Sequence, residues 1–214
     1  PHLRSLKMRP TLPLLALMFA TPLIATALVA QGTPPEVPGK VDPARVTGGT
    51  YQVESTHAIV AWKVSHFGFN DYYGMFGSPT GTLTLDKADM TKSSVTIDIP
   101  LGELYTVNAK LTEHMKGKDF FDSTVNKSAK FVSSSITVDG MKAKIVGNLT
   151  LLGQTKPVTL DATFTGAGTN PYNKKETVGF KANTSINRSD FGMKYGIPMV
   201  TDKVDLAITV AFEK

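Results

Sequence analysis

From Tyr51 to the end of the chain, apolar and polar side chains alternate with a period of two, the spacing that sends successive side chains to opposite faces of a β-sheet. Ala58, Val60, Trp62, Val64 and His66 share one parity, while Lys63 and Ser65 point the other way. The alternation recurs at Leu83 and Leu85, at Val95, Ile97 and Ile99, at Ile136 and Val138, and at Leu149 and Leu151. It returns at Val158, Leu160, Ala162 and Phe164, at Val178, Phe180, Ala182 and Thr184, and from Val204 to Phe212. Threonine is frequent at the outward positions, as a half-exposed pleated surface favours. Asp139-Gly140, Leu152-Gly153-Gln154 and Gly166-Ala167-Gly168 read as turns or loops between strands. One helix is predicted, over 109–116, where Leu111 and Met115 share a face.

About eight strands with no parallel βαβ pattern predict an all-β domain, an extended eight-stranded antiparallel barrel with a short helix in the mid-chain connection. A sandwich is the alternative. The length of the domain and the lack of a Cys…Trp…Cys core weigh toward the barrel, which would leave no exposed edge and could hold a ligand inside.

The first fifty residues break the pattern. Arg4, Lys7 and Arg9 precede an uncharged apolar run, 12–30, that closes on Ala25, Ala27 and Ala30, so residues 1–30 are expected to be an export signal peptide with Met8 as its start. A retained membrane anchor is the other reading of the run. Residues 31–50, rich in Pro and Gly, are expected to be a linker. The barrel domain is therefore expected over 51–214.

Charge adds little once this segment is set aside. The net charge of +5 includes three cations of the targeting segment, leaving 20 Lys and Arg against 18 Asp and Glu, a net of +2. The footprint of a nucleic-acid binder is missing. Cysteine is absent, which removes disulfides, thiolate metal sites and Cys nucleophiles.

Candidate chemistry is sparse. No Gly-x-Ser-x-Gly and no phosphate-cradling glycine motif occurs. His57 and His66 are nine residues apart, an odd separation that puts them on opposite faces of a continuous strand. His66 shares parity with Trp62 and so faces the interior. His114 lies on the predicted helix, followed by Asp119, Phe120, Phe121 and Asp122, where the two carboxylates can cap backbone donors. Phe67, Phe69, Tyr72, Tyr73 and Phe76 cluster with Gly68, Gly74 and Gly77 in a strand-loop-strand region, suited to a core or to a mouth that admits a lipid.

The segment from His57 through Trp62 to His66-Phe-Gly68 resembles the first signature of the YceI-like family of exported proteins. Gly74-Met-Phe76 with 81–86, His114-Met-Lys-Gly-Lys-Asp119-Phe120-Phe121-Asp122, Phe131-x-Ser133, 147–158, Asn187-Arg188-Ser-Asp190-Phe191-Gly192 and Val204-Asp-Leu206 follow in the family's order. Leu111 and Thr112 stand where the family commonly has Arg-Asp, and Asn126-Lys127 where it has Tyr-Pro, which leaves head-group recognition at the mouth open. The resemblance implies a lipocalin-like barrel in the periplasm, with an interior tunnel for a polyisoprenoid or isoprenoid-quinone-like lipid and no cofactor or metal. Parity and motif nominate Trp62, Val64, His66, Phe76, Phe131 and Leu149 as lining. Phe164, Phe180, Ile208 and Val210 join them, with His114, Asp119 and Arg188 as polar candidates. Transient membrane association and a homodimer stay open as partners. The rivals are a cavity hydrolase or isomerase built on His66 and His114, and an interaction module with a fully packed barrel.

Overall fold

A computed structural model describes residues 36–214. The expected signal peptide, and with it the choice between cleavage and anchor, lies outside the described residues. The strands are β1 (Gly49–Val53), β2 (Ile59–His66), β3 (Asn70–Phe76), β4 (Thr80–Leu85), β5 (Ser94–Pro100), β6 (Leu104–Tyr105), β7 (Ser128–Asp139), β8 (Lys142–Leu151), β9 (Gln154–Thr169), β10 (Glu176–Asn187) and β11 (Lys203–Glu213), with helix α1 (Ala109–Lys116) between β6 and β7.

Registers reduce these pieces to eight long strands. β1 and β2 run along the same edge of β11, pairing Val53 with Phe212 and then Ile59 with Thr209. Residues 55–58 bulge out between them. β4 and β3 follow β1 and β2, and β5 and β6 follow β4 and β3 in the same way. Every pairing is antiparallel, each long strand lies beside its successor in the chain, and β11 returns to β1. The sheet is therefore a closed eight-stranded up-and-down barrel, and the sandwich is excluded by the β1–β11 pairing that joins the two ends of the sheet.

The chain's turns follow its glycines and short polar residues where expected. Asp139-Gly140 joins β7 to β8, and Leu152-Gly153, both at positive φ, joins β8 to β9. Gly166-Ala167-Gly168 is not a loop: it lies inside β9, where the Lys40 backbone bridges Ala167. A Cβ on Gly168 would sit 2.2 Å from the Pro38 carbonyl oxygen, so glycine there reflects close approach of a second chain segment. For the same reason residues 36–50 are not a free linker. They pack along the barrel, and Gly49 already begins β1.

The two ends of the barrel differ. At one end, the seam between β1, β10 and β11 closes on Glu176, which accepts hydrogen bonds from Thr47 N–H (2.9 Å), Thr47 Oγ1 (2.7 Å) and Tyr51 Oη (2.6 Å). Lys214 Nζ lies 3.7 Å from the carboxylate and 4.8 Å above the Tyr51 ring. Burial opposes the charge of Glu176, but the hydrogen bonds from Tyr51 and Thr47 and the positive charge of Lys214 outweigh it and hold the carboxyl below its usual range. Burial, followed by the bond to the carboxylate, pushes the Tyr51 phenol up to about 12. At the other end stand α1 and the segment 188–202.

Two pH limits follow. The lowered carboxyl contributes stability that is present above the unfolded value of about 4.3 and lost as pH falls through the folded one. The raised phenol contributes stability that is present below about pH 10 and lost as pH rises toward about 12. Urea unfolding of the protein and of Tyr51→Phe checks this. At pH 7 the variant is expected to be less stable by about 1–3 kcal/mol, and the gap should narrow between pH about 10 and about 12.

Candidate functional site

The inward positions of adjacent strands meet in register. Ala143 of β8 pairs with Ala162 of β9, Ala162 with Ala182 of β10, Ala182 with Ile208 of β11, Ile208 with Val60 of β2, and Val60 with Phe76 of β3. Three alanines in a row make this side of the barrel wide. Val204, Leu206, Ile208 and Val210 face inward on β11 yet are only half-buried, whereas Phe212 at the strand's end is buried. Inward side chains that stay accessible to a water-sized sphere mean a hollow interior. The cavity they enclose has a volume of about 1350 Å³. That exceeds the roughly 300–1,000 Å³ of ordinary small-molecule pockets and suits an extended chain better than a compact ligand.

The lining reaches both ends of the barrel, from Pro43, Met90 and Met141 at the Glu176 end to Phe67, His114 and Met199 at the helical end. Aliphatic and aromatic residues dominate it. Phe164 and Phe180 pack with centroids 5.8 Å apart, and Phe180 lies 6.2 Å from Phe212.

At the helical end, α1 is capped by Asn108, whose Oδ1 accepts from Leu111 N–H, and is pinned by Thr112, which bonds Thr106 through Oγ1. Its Met115 is buried, and its His114 stands at the mouth. His114, Phe120 and Tyr195 form a triangle of rings with centroids 5.2–5.3 Å apart, joining the helix, the turn after it and the 188–202 segment. That segment is shaped by Arg188, 4% exposed. Its Nε, Nη1 and Nη2 donate to the carbonyls of Thr201, Tyr195 and Val200 at 2.8–2.9 Å. Burial lowers the guanidinium pKa and the neighbouring Asp202 charge opposes that shift.

Trp62 shows why the wall accepts so large a ring. A Cβ on Gly74, its partner on β3, would lie 2.1 Å from the indole, so only glycine lets the ring lie flat against the strand. Trp62 and Tyr72 rings stand 6.3 Å apart at 37°. Trp62 Nε1 and Tyr72 Oη are buried with no hydrogen-bond partner among the described residues.

Of the residues nominated from sequence, Trp62, Val64, His66, Phe76, His114, Phe131, Leu149, Phe164, Phe180, Arg188, Ile208 and Val210 line the cavity. Asp119 needs correction, and two of the others line the cavity in a particular way. Asp119 is off the cavity, and neither it nor Asp122 caps a backbone donor among the described residues: Asp119 Oδ2 lies 2.8 Å from His114 Nε2 on the outer side of the mouth, and Asp122 Oδ1 accepts from Thr124 Oγ1. Arg188 reaches the lining and places three of its five N–H donors on loop carbonyls. His66 faces the lumen as expected, but at its rim: it sits exposed at the end of β2, edge-on to Phe67 at 4.4 Å. Sequence reasoning missed Ala143 and Tyr195, and it noted Tyr72, Ala162 and Ala182 without nominating them. Inward parity was the available signal for the alanines, but small residues carry little weight in such patterns; Tyr195 lies in a turn, where parity says nothing.

The site can hold and shield an apolar chain. Among the described residues no hydroxyl hydrogen-bonds to an imidazole, and no cluster of three or more His, Asp or Glu is placed to bind a metal. A hollow, apolar, closed up-and-down barrel of this kind is a lipocalin-like fold. Residues 51–212 match the YceI-like domain, and the chain belongs to that family. It is 36% identical over 193 residues to a UPF0312 protein of Pseudomonas putida strain W619, covering 90% of this chain and 94% of the relative. Among solved structures it resembles BcnA of Burkholderia cenocepacia, with a TM-score of 0.66 and 24% identity over 74% of this chain and 98% of that one. It also resembles a polyisoprenoid binding domain from Saccharophagus degradans implicated in plant cell wall breakdown, with a TM-score of 0.58 and 12% identity over 76% and 97%.

Filling the wide side tests the cavity. Ala162→Trp is expected to weaken uptake of a long-chain fluorescent lipid more than tenfold while the far-ultraviolet β-signal persists, as read by titration and circular dichroism.

Proposed function

We propose that the protein is an exported carrier that sequesters a polyisoprenoid or isoprenoid-quinone-like lipid in the barrel interior. The observation that carries this reading is the continuous apolar cavity of about 1350 Å³, reaching from one end of the barrel to the other. Every 100 Å² of chain moved from water into such a wall contributes about 2.5 kcal/mol, with no bond made or broken. The polyisoprenoid binding domain from Saccharophagus degradans shares the fold, which agrees with the ligand class. The targeting segment read in residues 1–30 supports the periplasm as its place of work.

The packed-barrel alternative has the hollow interior against it. The cavity-enzyme alternative has the geometry of its histidines against it, since His114 is engaged by Asp119 and His66 is exposed at the rim.

Loading from a membrane surface follows from the same mouth. Around the helical end Phe69 is 89% exposed and Val107 83%, with Phe67, Tyr195 and Met199 also open to solvent. Apolar groups on a rim of this kind enter the headgroup boundary of a bilayer and let a lipid pass without crossing water.

Mass spectrometry of an organic extract of the purified protein tests the carrier. A co-purifying long isoprenoid lipid at up to one per barrel is expected; a bound transition metal with no lipid would overturn the reading in favour of the enzyme. In vesicle co-sedimentation, Phe69→Ser combined with Val107→Ser is expected to reduce binding several-fold without changing the unfolding midpoint.

A further inference from the structure

The Glu176 end of the barrel is crossed by a piece of chain that belongs to no long strand. β8 begins at Lys142, which pairs with Thr163, so β9 runs on past its neighbour over 164–169. Lys40 fills the lane that β8 leaves: its N–H donates to the Ala167 carbonyl at 3.0 Å, and its carbonyl accepts from Ala167 N–H at 2.8 Å. Gly49 then opens β1. In the ring order β8, β9, β10, β11, β1, these two points lie four strands apart in an eight-stranded ring, on opposite sides of the barrel. The segment 41–48 that joins them passes over the end of the lumen. Its side chains agree, since Pro43, Ala44 and Val46 line the cavity, and Val46 is half-buried and packed against the core.

The crossing is fastened at both ends and braced in its middle. At the far end Glu176 accepts two hydrogen bonds from Thr47, and Lys214 Nζ donates to Thr47 Oγ1 and to the Gly48 carbonyl. In the middle Asp42 Oδ1 accepts from Ala44 N–H at 2.9 Å, and Arg45 Nη1 donates to the Pro38 carbonyl at 3.2 Å. At the near end Gly168 is the seat, because a Cβ there would lie 2.2 Å from the Pro38 carbonyl oxygen. A hollow apolar tube by itself selects poorly for length, since each further methylene taken from water adds the same increment. A fixed surface across one end changes that. Once the tail of a chain meets it, further units stay outside the helical mouth and add nothing.

We infer that residues 41–46 form the floor of the lumen and set the longest isoprenoid chain that binds in full, with Val46 as the side chain that the tail meets. This rests on the carrier reading above and adds to it a determinant of chain length. Met90, from the connection between β4 and β5, and Met141, from the turn between β7 and β8, line the same end of the cavity and complete the floor beside the crossing.

The test uses a ladder of all-trans isoprenoid alcohols that differ only in the number of units, from geranylgeraniol to decaprenol, with affinities for the full protein read by native mass spectrometry. Affinity is expected to rise about tenfold or more per unit and then to level off at a break. Val46→Trp puts an indole where an isopropyl group stood, roughly the room of one unit, and should move the break about one unit shorter. Gly168→Val unseats the crossing and should move the break at least about one unit longer. Ala162→Trp, in the middle of the wall, should instead weaken every member of the ladder. Should one of the first two variants fail to fold, the other, whose effect has the opposite direction, decides. A break that stays in place in both, a ladder without a break, or Val46→Trp acting on all members alike overturns the floor and leaves the carrier standing. If no member binds the unaltered protein, the carrier reading falls and the floor with it.

Discussion

The pairing of β11 with β1 is the contact on which the rest of the molecule depends. A barrel whose middle is hollow cannot draw on a dense core there, because half-buried side chains such as Leu206, Ile208 and Val210 have no atoms facing them across the lumen. The wall must hold its shape by its own hydrogen bonds, and those are complete only if the ring closes. Val53 against Phe212, prolonged by Glu54 N–H donating to the Ala211 carbonyl, closes it. The Glu176 cluster then fastens the seam, drawing Thr47, Tyr51 and Lys214 onto one carboxylate.

Closure also divides the work between ends and middle. Solid packing collects at the ends, around Tyr51, Val178 and Phe212 on one side and around Leu101, Met115, Phe121 and Phe191 on the other. Between them the alanine row of β8, β9 and β10 keeps the lumen open. The helical end is rigid where Arg188 ties the 188–202 segment and apolar where that segment meets His114 and Phe120. A mouth of fixed shape with a greasy rim, leading into a wide apolar channel, is what passage of a flexible chain requires.

Much of this was legible in the sequence, because inward and outward side chains alternate along the strands except where bulges shift the register at Ser133/Ser135 and Gly179/Phe180. Val204 to Phe212 could be read directly, and the helix over 109–116 falls where its apolar spacing put it. Strand β3 was obscured because aromatic residues occupy both of its faces, Tyr72 and Phe76 inward, Tyr73 outward, with Gly74 between them. The role of Arg188 was hidden for a different reason. Its three carbonyl partners belong to a loop seven to thirteen residues away, and no periodicity reports on such contacts. Pro and Gly made 36–50 look like a tether, whereas the glycines of β9 exist to receive that segment. Trp62 could be placed on the inner face by parity, but that its indole nitrogen and the Tyr72 hydroxyl are buried without a partner among the described residues is a fact of three-dimensional packing alone.

A crystal structure of the protein loaded with squalene tests the central claim most directly, that the interior is a channel for a long isoprenoid chain. Continuous electron density along the row Ala143, Ala162 and Ala182, running from the helical mouth toward Met141, is the predicted result. Side chains collapsed into the lumen, with the hydrocarbon on the outer surface or absent, would contradict it.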